Sequence, residues 1–149
     1  MRSPFGDYDN WWADVRSRPF GSKPADWDLL NPYAMAACYS ADPDGTVRLP
    51  FDVATGKLIE EVWQRWLDLD PVRMIPRHAQ TMRSMRAIWL DAGREDEFFL
   101  DNGMVAVSKE LEAVGAEHTF ELFEGGHMSI AYRYPRSLAF LARALSEPA

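Results

Sequence analysis

The chain has 149 residues, enough for one ordinary domain, and 47% of them are hydrophobic, so a packed core is expected rather than disorder. The formal net charge is −7 and the basic residues form no cluster, which argues against binding to nucleic acid or to an acidic membrane surface. A single cysteine excludes an internal disulfide, and no apolar run is long enough for a transmembrane helix. The first residues lack the basic and apolar regions of a signal peptide, so a cytoplasmic location is expected.

Residues 1–85 predict a segment of helices and loops that is rich in aromatic residues. Proline, glycine and aspartate are frequent up to about residue 50, and helices are predicted at 8–17 and 27–37. KLIEEVWQRWL, residues 57–67, carries its apolar residues on one stripe and predicts an amphipathic helix. Asp70 followed by proline is typical of a helix start, with the aspartate as the N-cap, and a polar helix is predicted to follow.

The remaining residues, 86–149, alternate between strands and helices. RAIWLDAG (86–93) predicts a buried parallel strand, and HTFELFE (118–124) predicts a second strand. A helix is predicted between them, from about 100 to 114, and a final helix with leucines on one face is predicted to begin near Pro135. The order strand, helix, strand, helix predicts a βαβα unit of the α/β class, with parallel strands and a right-handed crossover.

Two loops follow these strands, at the edge where parallel α/β sheets collect their functional groups. DAGREDEFF (91–99) follows the first strand and contains Asp96, and EGGHMS (124–129) follows the second strand and contains His127. Their separation of 31 positions, 127 − 96, suits one helix plus one strand, so the chain returns to the same edge one strand away. A carboxylate beside a histidine would hold one tautomer of the imidazole and stabilise its protonated form, as a general base requires.

Several acidic residues of the first loop compete for the role of that carboxylate. Asp91, Glu95 and Asp101 lie close in sequence to Asp96, and the spacing alone does not exclude them. Glu95 and Glu97 are expected to be solvated loop charges.

The other candidate side chains have simpler explanations. His127 itself could be a turn histidine bound to the backbone, His118 opens a strand and is expected to be structural, and His78 is expected at the surface. Cys38 is expected to be a small buried apolar residue. Because these histidines and the cysteine show no short ligand spacing, neither a metal site nor a cofactor is expected.

The two C-terminal segments IWLDAGREDEFFLDNG and FELFEGGHMSIAYRYPRSLAFL resemble the end of serine esterases of the α/β-hydrolase superfamily, such as esterase D, S-formylglutathione hydrolase and enterochelin esterase. In that family a strand runs into a D-x-G-x-x-D-x-F pattern whose last aspartate is the triad acid. Asp91, Gly93, Asp96 and Phe98 match the pattern, which assigns the acid to Asp96. The family's histidine follows glycine after the final strand, which assigns the base to His127. The resemblance implies a carboxylesterase that acts on small esters or thioesters without a cofactor or metal.

The resemblance covers about residues 30–145 and implies that about 43–76 form a cap-like insertion, as in some bacterial members. It departs from the family at the nucleophile, because no serine of the chain has a glycine at both the second position before it and the second position after it. The G-x-S-x-G elbow is therefore missing. We expect residues 1–149 to form a partial domain, the C-terminal fragment of an α/β-hydrolase, that is inactive alone.

Such a fragment would leave one edge of its sheet open. We expect that edge to associate with a missing N-terminal half, with a second copy of the chain or with the chain's own N-terminal segment. The alternative function is a non-catalytic binding or assembly module derived from a hydrolase, with the tryptophan-rich first half as its contact surface.

Overall fold

The structure is a computed structural model that describes residues 8–19 and 23–146. The chain divides into two compact units, of which the first ends at Leu69 and the second begins at Asp70. This division falls earlier than the boundary at 85–86 between the two predicted segments. None of the described helices is long and apolar enough to cross a bilayer.

The first unit is helical, as its sequence predicts. Its described elements are three α-helices and one short 3₁₀ turn, in the order α1 (Tyr8–Ser17), the 3₁₀ turn (Pro24–Asp26), α2 (Trp27–Tyr39) and α3 (Glu60–Asp68). The helices predicted at 8–17 and 27–37 are confirmed. The predicted helix at 57–67 begins only at Glu60, because Leu58 pairs with Phe51 in an antiparallel β-bridge and is held in the extended backbone.

Aromatic side chains connect α2 to α3 within this unit. Ser40 is 1% exposed, and its hydroxyl accepts a hydrogen bond of 2.9 Å from the Trp66 indole and donates one of 2.6 Å to the Arg48 carbonyl. Tyr39 meets Trp66 edge-on, with ring centroids 5.3 Å apart. Cys38, one position before Tyr39, is exposed, so the expectation that it is buried was wrong. Its position on α2 is turned away from the packed side, which residue type alone does not reveal.

The second unit contains the βαβα arrangement. Its elements are α4 (Pro71–Arg77), α5 (Ala79–Ser84), β1 (Trp89–Gly93), α6 (Leu100–Ala113), β2 (Thr119–Phe123), a 3₁₀ turn (Ile130–Arg133) and α7 (Tyr134–Ser146). The strands are parallel, with Trp89 opposite Thr119 and Gly93 opposite Phe123, which confirms the predicted pairing. Asp70 is the N-cap of α4 as predicted, because its carboxylate accepts the Val72 N–H at 3.0 Å.

The core of the second unit lies on one face of this sheet. It is formed by buried side chains of α4 and α6 and of the turn after α6, with partly buried residues of β1 and of the position before it packed against them: Ile75, Val107, Leu111, Ala116, Leu90 and Ile88. On the opposite face Trp89 packs against Phe140 of α7, with ring centroids 5.3 Å apart. Neighbouring residues of β1 thus point to opposite faces, and both faces carry a helix.

The last helix begins at Tyr134, close to the predicted start near Pro135, and two of the leucines predicted on one of its faces, Leu138 and Leu145, are 62% and 69% exposed. The described residues contain a parallel sheet of two strands, β1 and β2, which are the two strands that the sequence predicts. Both observations concern only the part of the chain that the structure describes.

Candidate active site

The ends of β1 and β2 lie side by side and deliver two loops to the same edge of the sheet. We call residues 94–99 the acid loop and residues 124–129 the histidine loop. Backbone hydrogen bonds connect them, from the Arg94 N–H to the Phe123 carbonyl at 2.9 Å and from the Glu95 N–H to the Gly125 carbonyl at 3.0 Å. These backbone hydrogen bonds alone hold the histidine loop against the end of β1.

Gly93, the last residue of β1, permits this close approach. A β-carbon on Gly93 would lie 2.2 Å from the Gly125 carbonyl oxygen and 2.7 Å from the Gly126 carbonyl oxygen. No side chain fits in that space, so the backbone of the histidine loop occupies the volume that a larger residue would fill. Gly125 has a φ of +136°, a region that other residues rarely adopt.

The two residues predicted from the sequence meet across these loops. Nδ1 of His127 and Oδ2 of Asp96 are 3.1 Å apart, and the side chains are 39% and 4% exposed. An ionised carboxylate can only accept a hydrogen bond, so the proton lies on Nδ1. Nε2 has no hydrogen-bond partner among the described residues and carries the lone pair in the neutral ring.

Asp96 is held as a carboxylate by the start of α6. Its Oδ1 accepts the Phe98 N–H at 2.8 Å and the Leu100 N–H at 3.4 Å. Burial acts to raise the pKa of Asp96, but the hydrogen bonds from Phe98, from the His127 ring and from Leu100 outweigh it. The pKa therefore lies below the ordinary value of 3.8. The acid is ionised at neutral pH and fixed in position by backbone amides.

Glu97 is a member of the site that the sequence did not reveal. Its Oε2 accepts the backbone N–H of His127 at 2.8 Å, and this hydrogen bond is the main reason that the pKa of Glu97 is lowered from 4.5. The expectation that Glu97 is only a solvated loop charge was therefore incomplete. No feature of the sequence distinguishes Glu97 from Glu95, and both are exposed. The contact depends on the backbone path of the histidine loop, which the sequence does not reveal.

The exposed side of the histidine borders a pocket of about 140 Å³. Asp96 and His127 line it together with apolar side chains of α6, β2 and the 3₁₀ turn: Leu100, Met104, Phe123 and Ile130. Phe98, which is 60% exposed, meets the His127 ring edge-on with ring centroids 5.0 Å apart. An apolar pocket beside an imidazole with a free nitrogen suits the uncharged part of a small organic substrate.

Asp91 also lines this pocket, but it is bound to a different partner. Its Oδ2 accepts from Nε of Arg133 at 3.1 Å, and Nη2 of the same guanidinium donates to Glu121 at 2.5 Å. Asp91 and Glu121 are directly opposite each other on the two strands, so Arg133 neutralises a pair of adjacent carboxylates. Arg133 ends the 3₁₀ turn that follows the histidine loop, and its ion pairs hold that segment to the sheet.

The other histidines do not join the site. The His118 ring binds the Ser108 hydroxyl through Nε2 at 2.7 Å and the Ala116 carbonyl through Nδ1 at 3.1 Å. Since Ser108 is 5% exposed, this serine–histidine pair connects α6 to the start of β2 and is closed to a substrate. His78 is exposed at the C-terminal end of α4, as expected. Among the described residues no three side chains converge as metal ligands.

Comparisons with known proteins give little beyond this geometry. No family model matches the chain, and no curated protein matches it. One solved structure that it resembles is described as a ferulic acid esterase, with 21% identity and a TM-score of 0.41. The alignment covers 66% of this chain and 38% of that chain. A TM-score this low assigns neither the fold nor the activity, and the esterase families named above are not identified by these comparisons.

Proposed function

We propose that this chain supplies the acid and the general base of a serine hydrolase that acts on small carboxylic esters or thioesters. The observation that carries the proposal is the hydrogen bond of 3.1 Å between His127 Nδ1 and the buried Asp96 carboxylate, beyond the ends of two parallel strands. This is the arrangement that a histidine base needs, because the carboxylate fixes the tautomer and leaves Nε2 free to take a proton.

In the proposed reaction His127 acts twice. Nε2 takes the proton from a serine hydroxyl as the serine oxygen attacks the ester carbonyl, and then gives that proton to the departing alcohol or thiol. In the second half it takes a proton from water, whose oxygen attacks the acyl group, and returns it to the serine. Asp96 remains ionised throughout and stabilises the imidazolium that forms in each half.

The nucleophile of this reaction is proposed to come from sequence outside these 149 residues. None of the chain's own serines lies in a G-x-S-x-G elbow, and the described serines make no hydrogen bond to His127 Nε2. Without a nucleophile and donors for the oxyanion, a base and an acid contribute almost no rate enhancement. The chain alone should therefore hydrolyse p-nitrophenyl acetate at no more than the background rate. Substantial turnover that His127→Ala abolishes would show that the chain carries its own nucleophile.

The positive test uses a longer chain. We expect the coding sequence upstream to contain a G-x-S-x-G motif, because the nucleophile comes before the acid and the histidine in the chain order of such hydrolases. The longer protein should hydrolyse the ester, and His127→Ala or Asp96→Asn should each lower its kcat by about 10⁴-fold. His78→Ala is the matched control, because His78 is exposed and remote in sequence from the acid and histidine loops. A stop codon in that upstream region would instead favour the binding module.

A further inference from the structure

We propose that Glu97 is a positioning residue for His127, holding the backbone of the histidine while Asp96 holds its ring. Glu97 Oε2 accepts the His127 N–H at 2.8 Å, and Asp96 Oδ2 accepts from Nδ1 at 3.1 Å. Two consecutive carboxylates of the acid loop thus bind the same residue of the histidine loop at two separate points. The catalytic meaning of this contact rests on the function proposed above, but the contact itself does not.

The sequence before His127 explains why a second attachment is needed. Gly125 and Gly126 have no side chains to restrict their backbone angles, and His127 follows them directly. The backbone bonds to Phe123 and Gly125 hold the start of the histidine loop, and the hydrogen bond to Nδ1 holds the ring, but neither fixes the backbone at His127 itself. A bond to the His127 amide fixes the point at which the side chain leaves the loop.

Gly126 also makes room for the Glu97 carboxylate. A β-carbon at Gly126 would lie 2.7 Å from Oε1 and 2.9 Å from Oε2 of Glu97. The carboxylate therefore occupies the place that a side chain at position 126 would take. Glu97 is itself exposed, but this fit between Gly126 and its carboxylate gives the side chain a defined place in the loop.

The neighbouring Glu95 offers a close comparison. It has the same side chain and is exposed like Glu97, but its carboxylate makes no hydrogen bond or ion pair with the described residues, while its backbone N–H binds the Gly125 carbonyl. Replacing the Glu95 side chain keeps that backbone contact and removes one negative charge from the same loop. The difference between the two glutamates therefore isolates the hydrogen bond to the His127 amide.

The experiment measures His127 directly in the 149-residue chain by nuclear magnetic resonance with ¹⁵N-labelled histidine. In the unmodified chain the long-range spectrum should show the tautomer with the proton on Nδ1. Glu97→Ala should increase the hydrogen-exchange rate of the His127 amide by about tenfold or more. The same variant should show both tautomers of the His127 ring, because the backbone at His127 is no longer held and the hydrogen bond from Nδ1 to Asp96 weakens. Glu97→Gln keeps an acceptor oxygen and should restore both the slow amide exchange and the single tautomer of His127. Glu95→Ala should leave both unchanged.

A second variant guards against a simple loss of folding. Gly126→Ala keeps the Glu97 carboxylate but displaces it, so it should reproduce the effects of Glu97→Ala on His127. The amide of the buried residue Leu111 should stay protected in every variant, which shows that the core is intact. Unchanged His127 signals in Glu97→Ala, or failure of Glu97→Gln to restore them, would overturn the proposal.

The esterase assay separates this proposal from the function on which it rests. In the longer, active protein Glu97→Ala should lower kcat by about 10- to 100-fold with little change in KM, because a base displaced by about 1 Å transfers protons poorly. Loss of His127 order without any esterase activity in the longer protein would uphold the contact and refute the proposed function. Full activity of Glu97→Ala in that protein would refute the positioning role and leave the acid–base assignment standing.

Discussion

Replacing Gly93 by alanine should separate the acid loop from the histidine loop. The new β-carbon would lie 2.2 Å from the Gly125 carbonyl oxygen, whereas ordinary contact begins at 3.4 Å, so the loops must move apart by 3.4 − 2.2 = 1.2 Å. The neighbouring hydrogen bonds Arg94 N–Phe123 O and Glu95 N–Gly125 O are now 2.9 and 3.0 Å long. Lengthened by that amount, both would exceed the range of a hydrogen bond.

The energetic cost follows from these distances. Forcing an extra methyl into a filled site costs about 1–3 kcal/mol, and two backbone hydrogen bonds contribute about 1 kcal/mol each. Gly93→Ala should therefore lower the free energy of unfolding of the second unit by about 3–5 kcal/mol, a large part of what a small domain possesses.

Gly103→Ala is the control for this substitution. Gly103 lies within α6, and a β-carbon there would meet nothing within 4 Å. The same chemical change should therefore stabilise the chain by about 0.5–1 kcal/mol, since alanine has the higher helix propensity. The two variants add the same methyl group and are expected to act in opposite directions.

Urea unfolding followed by circular dichroism, with hydrogen exchange at the β1 amides, measures both effects. With an m-value of about 1–3 kcal/mol/M, the loss in Gly93→Ala should lower the midpoint by at least about 1 M. Exchange at β1 should accelerate in the same variant. A midpoint for Gly93→Ala within about 0.3 M of the unmodified chain, with Gly103→Ala shifted upward as expected, would refute the close approach of the two loops.

Two further substitutions test the charges of the site. Because the folded state lowers the pKa of Asp96 below 3.8, the stability that this carboxylate contributes is fully present above that value and is lost as the pH falls through the lowered pKa. Asp96→Asn should flatten the fall of the urea midpoint below pH 3.8, and an unaltered slope would contradict the pKa direction. Arg133→Met leaves the Asp91 carboxylate without its arginine beside Glu121, which keeps its ion pair with Arg136, and should destabilise the second unit by about 1–3 kcal/mol at neutral pH. Thermal unfolding in about 0.05 M and about 1 M sodium chloride should show a smaller loss at the higher salt, which screens the repulsion between Asp91 and Glu121, and an equal loss in both would argue against repulsion as the cause.

The βαβα unit could be predicted from the sequence because its signals are local. β1 lies at the end of a short apolar run, β2 has alternating side chains, α6 has an apolar face, and Gly115 follows α6 with a φ of +69° that suits a helix end. The predicted end of the first strand at residue 93 is also observed. The predicted start of α3 was wrong by three residues. The pairing of Leu58 with Phe51 holds that part of the chain extended and overrides its helix propensity.

The contact between Asp96 and His127 could be predicted because it depends on topology. Parallel strands bring the loops after them to one edge, and the 31 positions between the two residues leave room for little except a helix and a strand. Glu97 could not be predicted, because its contact depends on the exact course of two glycine residues. A side chain that binds a backbone amide leaves no trace in residue spacing.

The structure also supplies a physical reason why Asp96 and not Asp91 stands beside the histidine. Asp91 lies within β1, where the alternation of side chains places it on the same face as Trp89, and Arg133 binds it there. Asp96 lies three residues beyond the last strand residue, Gly93, in the loop that bends over the end of the sheet. An acid for His127 must reach past the strand ends, and a strand residue already paired with an arginine cannot.

The contact between Asp96 and His127 is therefore assembled within a single βαβ unit. Among the described residues, the contacts that set the position of His127 come from residues 89–127 of the second unit, namely the strand pairing, the backbone bonds between the loops, and the carboxylates of Asp96 and Glu97. A serine supplied from elsewhere would need only to place its hydroxyl within hydrogen-bond reach of Nε2, about 2.6–3.2 Å. The orientation of His127 in the 149-residue chain should then match its orientation in the longer protein that we propose as the active enzyme.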